Sequence, residues 1–287
     1  MTDPAAVAHD EAYRIEGPAP TLSEPRRVWQ LARVLAATDW KVRFFGSALG
    51  YVWSLLRPLL LFGILYLVFS EIVGLGDEVV AYPIQLLSAM MLYFFFSEVT
   101  GGALTSLVDR QSLVRKIGFP RMVVPLSVGM IGVLNLALNA LVLVVFVALQ
   151  QVEPRWTWLL VPIPVALVAL FALGAGLMLS ALYVRFRDVR PVWDVATQAL
   201  FYATPILYPA ERIIDESQTL ASLAMVNPLA ALIQTTRHWL LGPGVPSAVE
   251  TAGSWGFLLI PAAIFVAVIA GGFWLFERTA PVAAEQL

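Results

Sequence analysis

The chain has 287 residues, 59% of them hydrophobic and 13% charged, with a net charge of -2 and a mean hydropathy of +0.79. A soluble domain carries about 25% charged residues, so a surface wetted on all sides is excluded. Cysteine is absent, which removes disulfides and thiolate metal sites, and the two histidines, His9 and His238, stand far apart, so no His-rich metal site is expected.

Residues 1–22 are polar, acidic and Pro-rich with no apolar signal core, and read as a flexible cytoplasmic tail. Ser23-Glu24-Pro25 has the form of a helix start, with Ser as N-cap and Pro in the first turn. The helix predicted over 23–47 repeats Val28, Leu31 and Leu35 on one face. Arg26, Arg27, Arg33, Lys41 and Arg43 supply charge, and Trp29 and Trp40 are interfacial residues. It reads as an amphipathic helix on the inner leaflet or as a plain juxtamembrane helix; both readings place it in the cytoplasm.

A six-span, all-α transmembrane domain is predicted over 48–278. The runs Met122–Val152, Trp156–Val184 and Thr251–Phe276 contain no charged residue, and each exceeds the roughly 20 residues that cross ~30 Å of hydrocarbon. The first span covers about 49–73, with Arg57 near its cytoplasmic end where it can snorkel. The second, about 79–108, contains Glu98 and then Gly101-Gly102, where a break or kink is expected. The stretch "LVRKIGFPRMVVP" follows; its Phe119-Pro120 corner turns the chain, and "DRQSLVRKIG" before it can form a short surface helix. The third span runs to about Val152, "EPRW" turns into the fourth, about 156–184, and "RFRDVRP" is the next basic loop. A short fifth span is expected over about 192–208, with Pro205 near its far end.

Residues 217–236 are uncharged and long enough to cross, but Asn227-Pro228 starts a new helix in the middle and Gly242-Pro243 ends it. The segment 209–255 therefore reads as an extracellular or re-entrant hairpin. The last span covers about 256–276, and 279–287 reads as a cytoplasmic tail. With six spans and an inside N-terminus, 15 of the 18 Lys and Arg residues fall on the inner side, leaving Arg155, Arg212 and Arg237 outside, as the positive-inside rule expects. Both termini are then cytoplasmic.

Several stretches together carry a family resemblance: "TDWKVRFFGSALGYVWSLLRPLL" (38–60), "LVRKIGFPRMVVPLS" (113–127), "RFRDVRPVWDVATQALFYATPILYP" (185–209) and "NPLAALIQTTRHWLLG" (227–242). They resemble the permease subunits of type-2 ABC exporters, in the branch that exports O-antigen, teichoic acid and mycobacterial galactan. The resemblance covers about 29–276 in the right order. It implies a half-transporter that forms a homodimer, pairs with two copies of a separate ATPase, and moves a polyprenyl-pyrophosphate-linked glycan. ATP and Mg would bind the ATPase, and this chain would hold no cofactor. The only lysines, Lys41 and Lys116, do not follow glycine, so no P-loop is present.

The resemblance implies that 109–121 contacts the ATPase and gates the substrate, through Arg110, Arg115, Lys116, Phe119, Pro120 and Arg121, with Arg187, Asp188 and Arg190 as a secondary contact. Arg115, Lys116 and Arg121 can meet a pyrophosphate or simply set topology; both readings stand, as they do for Arg43 and Arg57. Substrate is expected to enter near Trp40, Arg43 and Arg57. Sugars stack on aromatic rings, and Tyr66, Phe69, Tyr93, Phe96, Phe201, Tyr202 and Tyr208, with Glu98, are candidates for the conduit. The competing reading for each ring is a lipid-facing or interfacial residue. Glu98 is the carboxylate deepest in a predicted span and thus a functional candidate. Asn135, Asn139, Gly174, Gly176 and Ser180 are assigned to helix packing.

Three alternatives are weighed. A secondary transporter would need several buried ionisable groups, of which Glu98 is one. A lipid-acting membrane enzyme would need clustered acids or histidines, which Asp188, Asp194 and Glu211 do not form. A type-2 permease for a drug or simple lipid shares the same motifs.

Overall fold

The structure is a computed structural model that describes residues 25–44, 50, 52–116 and 118–286; the side chains of Phe44, Asp77 and residues 281–286 are not included. The expected 1–22 tail, the Ser23 cap and the end of the first helix beyond residue 44 lie outside the described residues. Among those described, every regular element is helical.

Helix α1 spans Pro25–Phe44 and α2 spans Val52–Leu67, continued by a π turn over Val68–Ile72. A short α3 (Leu75–Glu78) leads into α4 (Tyr82–Asp109), and α5 (Gln111–Val114) into α6 (Val123–Leu149). A 3-10 turn (Trp156–Leu160) precedes α7 (Pro162–Arg185), followed by α8 (Val189–Ala203), α9 (Ala210–Glu216), α10 (Gln218–Ala224), α11 (Pro228–Leu241), α12 (Ala248–Ala252) and α13 (Leu259–Gln286). The C-terminal residues expected as a tail continue α13.

Among the described residues, five helical stretches are long and apolar enough to cross a membrane: Val52–Ile72, Tyr82–Asp109, Val123–Leu149, Trp156–Arg185 and Leu259–Ala280. The short fifth span expected over about 192–208 is helical only as far as Ala203. α8 has 15 residues, about 22 Å at 1.5 Å per residue, and stops at Thr204-Pro205, where Pro cannot continue the hydrogen-bond ladder. The chain then runs irregularly through Thr204, Ile206 and Leu207, all buried.

α4 is the hub. It packs against α6 on one side and α7 on the other; α7 carries α13, and α6 carries α1. Glycines set these approaches. A Cβ on Gly132 would lie 2.5 Å from Val99, and one on Gly102 2.9 Å from Val128, so α4 and α6 run antiparallel in close contact. A Cβ on Gly176 would lie 2.8 Å from Ala103, and one on Gly272 2.1 Å from the Gly174 carbonyl. Gly174 and Gly176 thus serve close packing, as small residues do between membrane helices. No break forms at Gly101-Gly102: α4 is continuous, and Gly102 permits the close contact with Val128 of α6.

The apolar stripe of α1 is covered by α6. Val28 and Ala32 pack with Val123, and Leu31 and Leu35 join them beside Leu126 and Met130. The Phe119-Pro120 corner follows Gly118, whose φ of 74° supplies the bend. Phe119 packs into both the α1–α6 cluster and the cluster of Leu107, Val114 and Leu177.

At the opposite end, Arg237 of α11 is buried to 1% exposure. Its Nε donates to the Gln85 carbonyl at 3.0 Å, Nη1 to Pro205 at 2.7 Å and Nη2 to Ile206 at 3.0 Å. It therefore pins the irregular segment after α8 onto α4. Tyr82 adds a bond from its hydroxyl to the Leu207 carbonyl at 2.8 Å. The break at Asn227-Pro228 forms as expected: the Asn227 Oδ1 accepts from the Leu229 amide at 3.0 Å, a side-chain N-cap. α12 begins with a Ser247–Glu250 capping box, whose hydrogen bonds from Ser247 hold the Glu250 carboxyl below the usual carboxylate range.

Candidate functional site

A cavity of about 750 Å³ opens between the end of α1 and helices α2, α4 and α6. α4 contributes Met91, Phe94, Phe95 and Glu98, a run at i, i+3, i+4 and i+7 that falls on one helix face. α6 contributes Asn135, Leu136 and Asn139, and α2 contributes Trp53, Ser54, Arg57, Pro58 and Leu61. Arg43, in the last turn of α1, completes the wall.

A polar network crosses the mouth. The Arg43 Nη1 donates to Glu98 Oε1 at 2.8 Å, and the Asn135 Nδ2 donates to the same oxygen at 2.8 Å. The Trp40 Nε1 donates to Asn135 Oδ1 at 3.2 Å, and the Asn139 Nδ2 donates to the Asn135 carbonyl at 2.8 Å. The Arg43 and Glu98 side chains are 54% and 33% exposed, so in water their pair is worth about 1 kcal/mol or less. Arg57 is exposed and makes no ion pair among the described residues. Two guanidiniums therefore face one carboxylate, and the cavity carries one excess positive charge against aromatic and aliphatic walls. Such a site can seat an anion on an apolar carrier. Its volume suits a head group or drug-sized molecule, not a polymer.

The residues expected where substrate enters, Trp40, Arg43 and Arg57, meet here with Glu98. The other expected conduit residues divide. Tyr93 and Phe96 are 3% exposed each and point away from the cavity. The Tyr93 hydroxyl donates to the Thr197 carbonyl of α8, and Phe96 stacks on Phe171 of α7 at 5.5 Å. Within this chain they hold α4 to α7 and α8, because positions 93 and 96 fall on a different face from 91, 94, 95 and 98. Phe201 stacks on the cavity-lining Phe94 at 6.1 Å, and Tyr202 packs edge-on against Phe201 at 5.3 Å. Tyr202 is 60% exposed. Tyr66 stacks with Phe62 and Tyr82, Phe69 packs on the core, and the Tyr208 hydroxyl donates to the Tyr202 carbonyl at 2.8 Å.

The basic segment also divides. Pairs Phe96–Phe171 and Ala103–Gly176 run in the same sense along α4 and α7, so both basic loops lie at one end of the bundle. Arg115, Lys116, Arg187, Asp188 and Arg190 are exposed there, with Arg187 over the Tyr183 ring at 4.9 Å. Arg110 instead forms an ion pair with Asp39 of α1. Arg121 is buried, and Phe119 and Pro120 are half-buried at the corner. These three shape the turn, so the surface a pyrophosphate or a partner can reach is that of Arg115 and Lys116; Arg121 does not present itself to either.

Sequence reasoning missed the part played by Asn135 and Asn139, which line the cavity, Asn135 also holding Glu98, rather than serving packing alone. Their spacing of four placed them correctly on one face; what was missing was that Glu98 stands opposite. From the aromatic run 91–98 it singled out Tyr93 and Phe96, whereas Phe94 and Phe95 are the rings that line the cavity, as helical periodicity counted from Glu98 identifies.

Comparison with known proteins agrees with this architecture. The chain is 28% identical over 253 residues to the O-antigen export system permease protein RfbA of Myxococcus xanthus, covering 88% of this chain and 94% of that protein. It is 29% identical over 211 residues to the protein of the same name from Klebsiella pneumoniae, covering 73% of this chain and 80% of the relative. A profile of the family described as ABC-2 type transporter matches residues 30–241. The chain is thus a multi-pass integral membrane protein and belongs to the ABC-2 type transporter family.

Proposed function

We propose that this chain is the permease subunit of an ATP-driven exporter that moves a lipid-linked cell-surface polysaccharide across the bacterial cytoplasmic membrane. The observation that carries this reading is the likeness to O-antigen export permeases along nearly the whole of both chains. ATP and Mg belong, in this reading, to a separate ATPase that docks at the end bearing Arg115, Lys116, Arg187 and Arg190. Both termini lie on that side. α8, with the irregular segment after it, serves as the sixth crossing, and α9 to α12 form a re-entrant or extracellular hairpin before α13.

The 750 Å³ cavity is too small for a glycan, which supports a conduit built with a second copy of the chain. The largely exposed faces of α2 and α8 are available for that contact, and Phe94, Phe201 and Tyr202 form an aromatic path leading from the cavity toward it. The same cavity volume suits a simple lipid or drug, so the polymer itself must be tested. Purification of the tagged chain in mild detergent, followed by mass spectrometry, is expected to recover a stoichiometric P-loop ATPase. Reconstituted with it, ATP hydrolysis should rise with a lipid-linked glycan and not with the glycan-free lipid. Equal stimulation by both would reassign the substrate to the lipid, and a chain that captures no ATPase even after crosslinking would overturn the reading.

A further inference from the structure

We infer that the mouth of the cavity is a phosphoryl-binding site in which Glu98 is an exchangeable counter-ion: a phosphoryl group on an apolar tail takes Arg43 and Arg57, and Glu98 is displaced. This deepens the proposed function and rests on it for the identity of the tail.

Four observations carry it. Arg57 faces the cavity without an ion pair among the described residues, so an anion would meet an unneutralised charge. Arg43 is held by Glu98 at 2.8 Å in a pair half open to solvent, which is the weak kind that a better ligand displaces. Asn135 donates to the same Glu98 oxygen at 2.8 Å, so the carboxylate keeps a hydrogen bond after Arg43 leaves, and its release does not strand it. The remaining wall is apolar, with Phe94 and Phe95 placed to take the first carbons of a hydrophobic tail. A guanidinium binds a phosphate through a planar fork of donors that a lone carboxylate does not fill. Two guanidiniums offered to a multiply charged phosphoryl group therefore outweigh the single Arg43–Glu98 pair. A neutral or cationic head group would leave the excess charge in place and is disfavoured.

The test uses the full chain in dodecyl maltoside, which contains no phosphate, with radiolabelled farnesyl diphosphate as probe. Saturable binding is expected, and inorganic pyrophosphate should compete. Arg57→Gln should weaken binding about ten-fold, the loss of one charged hydrogen-bond partner. Glu98→Gln should tighten it about two- to five-fold, because the competing ion pair is gone. Asn135→Asp, which places a second carboxylate beside Arg43, should weaken it, and stands in if either other variant fails to elute like the wild type. Displacement of the probe by phosphatidylglycerol supports the site and names a bilayer phospholipid as its occupant. Resistance to phosphatidylglycerol supports it and names the prenyl diphosphate. Absence of saturable binding by either lipid, or unchanged or weaker binding in Glu98→Gln, overturns the inference. Neither ATPase nor glycan is present, so such a failure leaves the recovery of an ATPase, and with it the export reading, untouched.

Discussion

Replacing Arg237 with Met removes a guanidinium that is 1% exposed and donates to three backbone carbonyls. Charge-assisted hydrogen bonds contribute about 1.5–3 kcal/mol each, so simple addition gives about 4.5–9 kcal/mol. Relaxation of the 204–208 segment recovers part of this, because that segment has no helical ladder to maintain, and water reaching the freed carbonyls recovers more. A loss of about 3–5 kcal/mol is expected, in the range for stripping one partner from a buried charged network. At roughly 2 °C per kcal/mol for a chain of this size, the apparent melting temperature in detergent should fall about 6–10 °C. Hydrogen exchange should accelerate first at the Ile206 and Leu207 amides, which follow the Pro205 and Ile206 carbonyls held by the arginine, and later in α4. Arg237→Lys should recover only part of the loss, because one ammonium cannot reproduce the fork that spans Gln85, Pro205 and Ile206. A melting temperature within 1 °C of wild type, with unchanged exchange at 206–207, would show that the segment is held by packing alone and refute the argument.

Gly272→Ala should destabilise by about 1–3 kcal/mol, since its Cβ would meet the Gly174 carbonyl at 2.1 Å and force α7 from α13. Gly271→Ala, with nothing within 4 Å, is the matched control and should be neutral or slightly stabilising in the same melting experiment. The double variant Arg115→Glu, Lys116→Glu changes exposed residues, so insertion and melting temperature should hold while ATPase recovery and export fall; normal export would remove these residues from the coupling surface.

Much of the architecture was legible because the membrane imposes it. A chain that must satisfy every backbone group in hydrocarbon forms helices, so the uncharged runs around 122–152, 156–184 and 251–276 marked long helices directly. Local chemistry was equally readable: Asn227 caps α11 as its Asn-Pro pair predicts, and the chain turns at Gly118–Pro120. What misled was local evidence with two meanings. Gly101-Gly102 reads as a helix break in isolation, but α4 is continuous and Gly102 is a contact point against Val128. Tyr93 and Phe96 read as part of an aromatic patch, but α7 and α8 cover them.

The sequence by itself determined the solvent, the helical class, the basic side and the absence of a P-loop, because each depends on composition or on residues close along the chain. Only the tertiary structure decided which aromatic face of α4 meets the cavity, that Arg43 and Asn135 converge on one oxygen of Glu98, and that Arg237 ties α11 to a strand of backbone 31 and 32 residues away. Those pairings join residues 31 to 152 positions apart, where helical periodicity fixes which face a side chain occupies but not which helix stands opposite it.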